Sequence, residues 1–358
     1  MPISSDLVDS LKRMGVDLLD RISSYDSLVV KDIEWVPVDR VSPASTAGVD
    51  SSRQYEVYRG FIVYAIQGYA VALTREGSLL ASLGDADSGY LDVVEASRIG
   101  VRVARDSLIS SASKTLEVRL LNSIVKNWGV ELALLDGSYE SFLGPILVFK
   151  GELRKAAPRL AGKIRELWEG RVKLLNEIAG LARLAFISKS SSKSTLVERG
   201  GVRVESEGST VVVPDFIVVR RALATMNVRT PGFIWYPNPY VELRKGGDEV
   251  VAIASRLSRW YTLTYILLHP AGRVYQLTIP GKLGKEEVRE IVEKLRSIAP
   301  DGYPRPLSIA HHLSTLRRGE FKKLLSMIIP HLETGREELE RVIGGSMLEE
   351  SHLKPPVE

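Results

Sequence analysis

Two apolar stretches of this 358-residue chain end on an aspartate followed by small residues. In "VELALLDGSYES" (130–141), Val130, Leu132, Leu134 and Leu135 read as a strand, and Asp136-Gly137-Ser138 as the turn that stops it. In "STAGVDSSRQY" (45–55) the acid is Asp50, at the end of a strand expected over about 45–50. A single strand-end aspartate is most often an Asx turn or a helix cap. Two of them on neighbouring strands, about 4.8 Å apart, can share a divalent cation. Such a cation activates water and neutralises the charge that develops on a phosphodiester.

Two further pieces supply candidate partners. Glu117 falls in a helical span, with Leu121 and Ile124 four and seven residues on along its own stripe. A carboxylate in line with an apolar stripe needs a cation to face; otherwise Glu117 sits at the stripe's edge and pairs with Arg119 or another neighbouring base, and the residues leave both readings open. Glu95 and Asp106 are the other acids of that span. In "DGYPRPLSIAHHL" (301–313), Tyr303 lies in a rigid turn between Gly302 and Pro304, ahead of His311 and His312 on a helix. A neutral imidazole binds Mn²⁺ or serves as a general acid or base. Adjacent helical histidines point about 100° apart, so at most one of them faces a site.

The elements that must position these groups follow from periodicity. A helix is expected over 5–24 and a β-meander over 55–84. A helical span covers about 91–127, the second Asp strand 130–136, and a helix 152–182, with Ile164, Trp168, Val172 and Leu175 on one stripe. A strand then leaves into the Ser-rich loop 188–194. After residue 200 strand signals dominate: "GVRVESEG", "STVVVPDFIVVRR", "FIWYP", "YVELRKGGDEVVAIAS" and "YTLTYILLHPAGRVYQLTIP". Helices return over 284–299 and from about Pro306. The expected class is α/β: a mixed central sheet flanked by helices, with added β-rich and helical elements. The order from residue 45 has the layout of the ribonuclease-H-like fold and of several other α/β folds.

Composition narrows the chemistry. The absence of cysteine excludes disulfides and thiolate zinc sites, and five scattered histidines do not make a zinc module. A net charge of +4 with a pI near 9.0 leans mildly toward a polyanionic partner. The basic runs Arg154, Lys155, Arg159, Lys163, Arg165 and Arg317, Arg318, Lys322, Lys323 read first as solvated helix faces. Three glutamines and five asparagines point to a thermophile. The longest apolar stretch, 61–73, has 13 residues and contains Gln67, too short for a membrane span. No leader pattern is visible at the N-terminus, so the expected location is cytoplasmic, with no membrane partner. A kinase of the actin-like class would need a glycine-rich phosphate loop beside Asp50, which is absent.

Together these pieces resemble the NurA family of archaeal and bacterial nucleases. "AGVDSSRQYEVYRG" matches its first Asp-Gly-Ser element with Ser51 in place of the usual Gly, and "LLDGS" matches the second with Asp136. Glu117 stands 19 positions before Asp136, where the family carries a helical Glu; Tyr303 and His311 fit its Gly-Tyr-Pro element and the His or acid eight residues later. "FISKSSSKS" resembles its strand-to-loop segment and places Lys189. The resemblance spans about 45–320. It implies a ribonuclease-H-like core and a Mn²⁺-dependent deoxyribonuclease (Mg²⁺ as the alternative ion, one or two per site). Such an enzyme removes nucleotides from 5′ ends of single- and double-stranded DNA and nicks single strands, in the end resection of double-strand breaks. The implied partners are DNA, a second copy of the chain, and the hexameric HerA ATPase. In this reading Asp50, Glu117, Asp136 and His311 bind metal, Tyr303 orients a ligand or the phosphate, and Arg53, Lys189 and Arg305 contact DNA. The implied division is a helical or extended segment over 1–40, one nuclease domain over 41–330, and a C-terminal helix and flexible tail over 331–358. The alternative is an inactive family member that only engages DNA or the translocase.

Overall fold

The computed structural model describes residues 25–58, 60–144, 151–189, 193–206, 208–243 and 247–328, together with Met14. The helix expected over 5–24 (Met14 apart) and the tail 331–358 lie outside the described residues. Contacts divide the chain into two compact units. One comprises Pro43–Phe186, Leu243–Arg259 and Pro304–Glu358, and is termed here the carboxylate unit. The other comprises Met1–Ser42, Ile187–Glu242 and Trp260–Tyr303, the hairpin unit.

The carboxylate unit is built on an antiparallel meander of β1 (Thr46–Val57), β2 (Phe61–Leu73) and β3 (Leu79–Asp92). Burial alternates along β2 with the period of two that a strand imposes, so one face enters the core. The 28-residue helix α1 (Val101–Trp128) packs on this meander and stops at Gly129, which donates its N–H to the Val125 carbonyl and turns the chain away with a left-handed φ of 59°. β4 (Leu132–Asp136) then returns parallel to β1, which makes the central sheet mixed. α2 (Pro158–Ala179) lies against α1 and buries Ile164, Trp168, Val172 and Leu175, the expected stripe. The helix expected over 152–182 is broken at Pro158, which starts α2 and follows a separate short helix, Gly151–Ala156. β5 (Arg183–Ser188) neighbours β4; its residues to Phe186 belong to this unit. α3 (Arg305–Ser314), with Pro306 in its first turn, packs on β1 and β2, and Ala310 meets Val71 and Leu73. A Cβ on Gly48 would lie 2.9 Å from the Leu307 backbone nitrogen, so glycine there lets α3 approach β1.

In the hairpin unit, strands Glu34–Pro37, Gly232–Trp235, Trp260–Leu267 and Val274–Pro280 are neighbours in that order, the last two forming an antiparallel hairpin. Two strand expectations fail after residue 200. "STVVVPDFIVVRR" keeps a strand only at Ser209–Thr210, and Asp215–Thr225 is a helix. Pro214 starts that helix, and burial of Ile217, Val218, Val219 and Ala222 overrides the β preference of a branched run. "YVELRKGGDEVVAIAS" likewise gives the strand Tyr240–Glu242 and then, in the carboxylate unit, the helix Gly247–Ile253. Among the described residues no helix is long and apolar enough to cross a membrane.

Candidate functional site

The parallel pairing of β1 with β4 runs from Thr46↔Leu132 to Val49↔Leu135. Asp50 and Asp136 are the next residue on each strand, so neighbouring backbones deliver both carboxylates to one level of the sheet. Asp136 ends β4, as its sequence implies. The turn behind it needs glycine, because Gly137 has φ 140°, and Ser138 then caps the short helix Tyr139–Leu143 in a capping box with Ser141. Asp50 corrects the expectation: it lies inside β1, which continues to Val57. The strand that stops is β4. Past Asp136, β1 runs on without its parallel partner, and there Asp50, Asp136 and Glu117 feel one another's charge.

Glu117 reaches the same place from α1. It is 7% exposed, and burial, opposed by a Ser51 hydrogen bond and reinforced by the charges of Asp50 and Asp136, pushes its carboxyl up to about 8. The Ser51 hydroxyl donates to Glu117 Oε1 and lies 2.6 Å from the Ser113 hydroxyl. Pairing with Arg119 does not occur: that guanidinium bonds Asp85 at 2.7 Å. The other acids of the span are engaged as well. Glu95 accepts from the Arg159 and Leu160 backbones at 3.1 Å, and Asp106 pairs with Arg105 at 2.9 Å.

Asp50 is 13% exposed at its side chain, and burial raises its pKa against the opposing His311 hydrogen bond. His311 Nδ1 stands 2.5 Å from Asp50 Oδ2, with the ring 64% exposed. α3 thus turns His311 toward the acid. Arg53 is exposed on β1, three residues beyond Asp50. Arg305 is exposed and donates to the Gly77 carbonyl at 3.2 Å. Tyr303 and Lys189 fall in the hairpin unit, where the Lys189 ammonium sits 5.1 Å from the Tyr303 ring centroid and Tyr303 packs on Tyr275.

Sequence reasoning missed three residues. Ser51 entered only as a departure from a glycine, yet its hydroxyl holds Glu117, and the extended backbone of β1 asks for no glycine there. Lys114, one turn before Glu117, is lowered to about 8 by burial and by Arg171, and donates to the Ser141 carbonyl at 2.6 Å. Arg171 is buried beside the α2 stripe and donates to the carbonyls of Phe142 (2.9 Å) and Ser111 (3.1 Å). These two cations brace the helix after Asp136. Their signal in the sequence was position alone: Lys114 three residues from Glu117, Arg171 between Trp168 and Val172.

The donor set is three carboxylates and an imidazole, which suits Mn²⁺ or Mg²⁺. Among the described residues no three of these groups stand close enough to enclose an ion as placed. What fits a cation is their chemistry: mutual repulsion around a buried carboxylate that burial has neutralised.

The NurA domain family matches residues 44–316. The crystal structure of the NurA nuclease from Sulfolobus solfataricus aligns over 96% of this chain and 99% of its own, at 18% identity and a TM-score of 0.61. A NurA structure with manganese aligns over 91% of this chain and 98% of its own (14% identity, TM-score 0.63). One bound to dAMP and manganese aligns over 94% and 99% (12% identity, TM-score 0.62). No curated protein sequence matches the chain significantly. The structures share the fold, and the domain match covers most of the sequence: the chain belongs to the NurA family.

Proposed function

We propose that this protein is a metal-dependent deoxyribonuclease whose centre is Asp50, Glu117, Asp136 and His311 on a ribonuclease-H-like core within 41–330. The observation that carries it is the register Val49↔Leu135, which sets Asp50 beside Asp136, with Glu117 buried in reach of both charges. The manganese and dAMP in related NurA structures support the choice of ion and of substrate.

Asp50, Glu117, Asp136 and His311 would hold one or two Mn²⁺ ions, with Mg²⁺ the alternative. The bound ion supplies an acidified water and charge neutralisation at the phosphate. Ser51 keeps Glu117 aimed by donating to one of its oxygens. Glu117 must release its proton to become a ligand. Asp50 holds the His311 ring through Nδ1, which leaves Nε2 for a ligand or a proton. Tyr303 would orient the phosphate or a ligating group, and Arg53, Lys189 and Arg305 would contact the strand. The wider role is 5′-to-3′ removal of nucleotides from single- and double-stranded DNA and endonucleolytic nicking of single strands. It belongs to cytoplasmic end resection by a homodimer working with a HerA-type hexamer.

The test is Mn²⁺-dependent degradation of 5′-labelled single-stranded DNA. Wild type should degrade it, and Asp136→Ala should lose at least roughly 100-fold in rate, more than an outer-shell substitution costs. Equal rates in both proteins, or none in either, contradict the reading.

A further inference from the structure

The hairpin unit holds a cavity of about 240 Å³ that takes no part in the metal centre, and of its lining only Lys189 figures among the strand contacts above. Phe216, Val219, Arg220 and Leu223 recur at helical spacing along Asp215–Thr225 and form one wall. Tyr265 and Gln276, directly paired across the hairpin, form the floor with Val274, and Lys189 completes the lining.

This wall is braced from below. Asp215, fully buried at the start of the helix, accepts from the Leu196 backbone (2.8 Å) and from the Tyr265 hydroxyl (2.9 Å). Gln276 donates to the same hydroxyl at 3.2 Å, which leaves its second amide proton and its carbonyl for a ligand. Phe216 is 54% exposed, a large ring held at the surface beside two cations. Arg221, the next residue, is committed to the Leu28 carbonyl at 2.8 Å, whereas exposed Arg220 makes no ion pair among the described residues.

An aromatic face, an apolar floor with one amide, and two cations match a single-stranded nucleotide: a base to stack, an edge to bond and phosphates to neutralise. We propose that this cavity seats one base of single-stranded DNA against Phe216, with Arg220 and Lys189 on the flanking phosphates and Gln276 on the base edge. It rests on the nuclease reading for the substrate class, but not on the carboxylates.

Binding of a fluorescein-labelled oligothymidylate to the full chain in EDTA isolates it, because no cleavage occurs there. Phe216→Ala and Phe216→Leu should each weaken binding roughly ten-fold, and Phe216→Trp should restore it. Arg220→Ala should lower the slope of log affinity against log salt by about 0.7, one single-strand phosphate. Wild-type affinity and slope in these variants overturn the proposal. So does unchanged DNA affinity with an altered oligomeric state, which would assign the cavity to a protein contact. A wild type that binds the strand but does not cut it with Mn²⁺ fails the nuclease reading alone. A wild type that cuts while Phe216→Ala and Phe216→Leu bind normally fails this one alone.

Discussion

Glu117 and Asp215 are both buried acids with pKa values raised chiefly by burial, yet their surroundings differ in kind. Asp215 accepts from the Leu196 N–H and the Tyr265 hydroxyl, and every hydrogen bond around it favours the carboxylate. Glu117 has one hydroxyl donor, Ser51, and two neighbouring acids, Asp50 and Asp136, that oppose its charge. A buried carboxylate matched by donors holds elements together. One crowded by like charges, which Lys114 only partly offsets, is poised for a further cation.

The largest expected effect falls on the matched acid. Asp215→Ala strands a buried N–H and a buried O–H, and should cost about 3 kcal/mol in urea unfolding. Glu117→Gln in the metal-free protein should be neutral or stabilising, since the amide has no proton to release on unfolding; a loss as large as that of Asp215→Ala would erase the contrast.

Next is pH. Glu117 titrates near 4.5 in the unfolded chain and at about 8 when folded, so the folded protein keeps a proton that the unfolded chain has released. Metal-free stability should therefore fall as pH rises between those values, by up to about 1.4 kcal/mol per unit. Glu117→Gln should flatten that slope. Because Mn²⁺ replaces the proton, its stabilisation of wild type in thermal melts should be greater near pH 8 than near pH 5.5.

Ser51→Ala leaves Glu117 without its donor and should weaken Mn²⁺ binding about 10- to 100-fold in calorimetry. The smallest effect belongs to Arg119→Ala. Its exposed pair with Asp85 should contribute less than about 0.5 kcal/mol, and Mn²⁺ affinity should not change.

Asp136 was legible because Asp-Gly-Ser is turn chemistry, and Gly137 does adopt the backbone that only glycine takes easily. Glu117 was only half legible: its stripe with Leu121 and Ile124, both fully buried, left open an edge position paired with Arg119, and packing decided for burial. Asp50 was found for a partly wrong reason. Its small neighbours read as a turn, but Ser51 and Ser52 continue the strand, paired to Gly68 and Gln67 of β2. Strand length depends on such cross-strand partners, which the local string does not reveal. The helix Asp215–Thr225 was hidden in the same way, since its Ile and Val residues favour strands until packing decides otherwise. Ser51 as the donor to Glu117 was beyond reach, because 66 residues separate them.

The central claim is that the carboxylates at the end of the β1–β4 pairing hold a metal ion. Anomalous diffraction from a crystal soaked in Mn²⁺ tests it most directly. The account predicts a manganese peak ligated by Asp50 and Asp136, with Glu117 turned toward it. A manganese peak ligated by other residues, or no peak at these carboxylates, would contradict it.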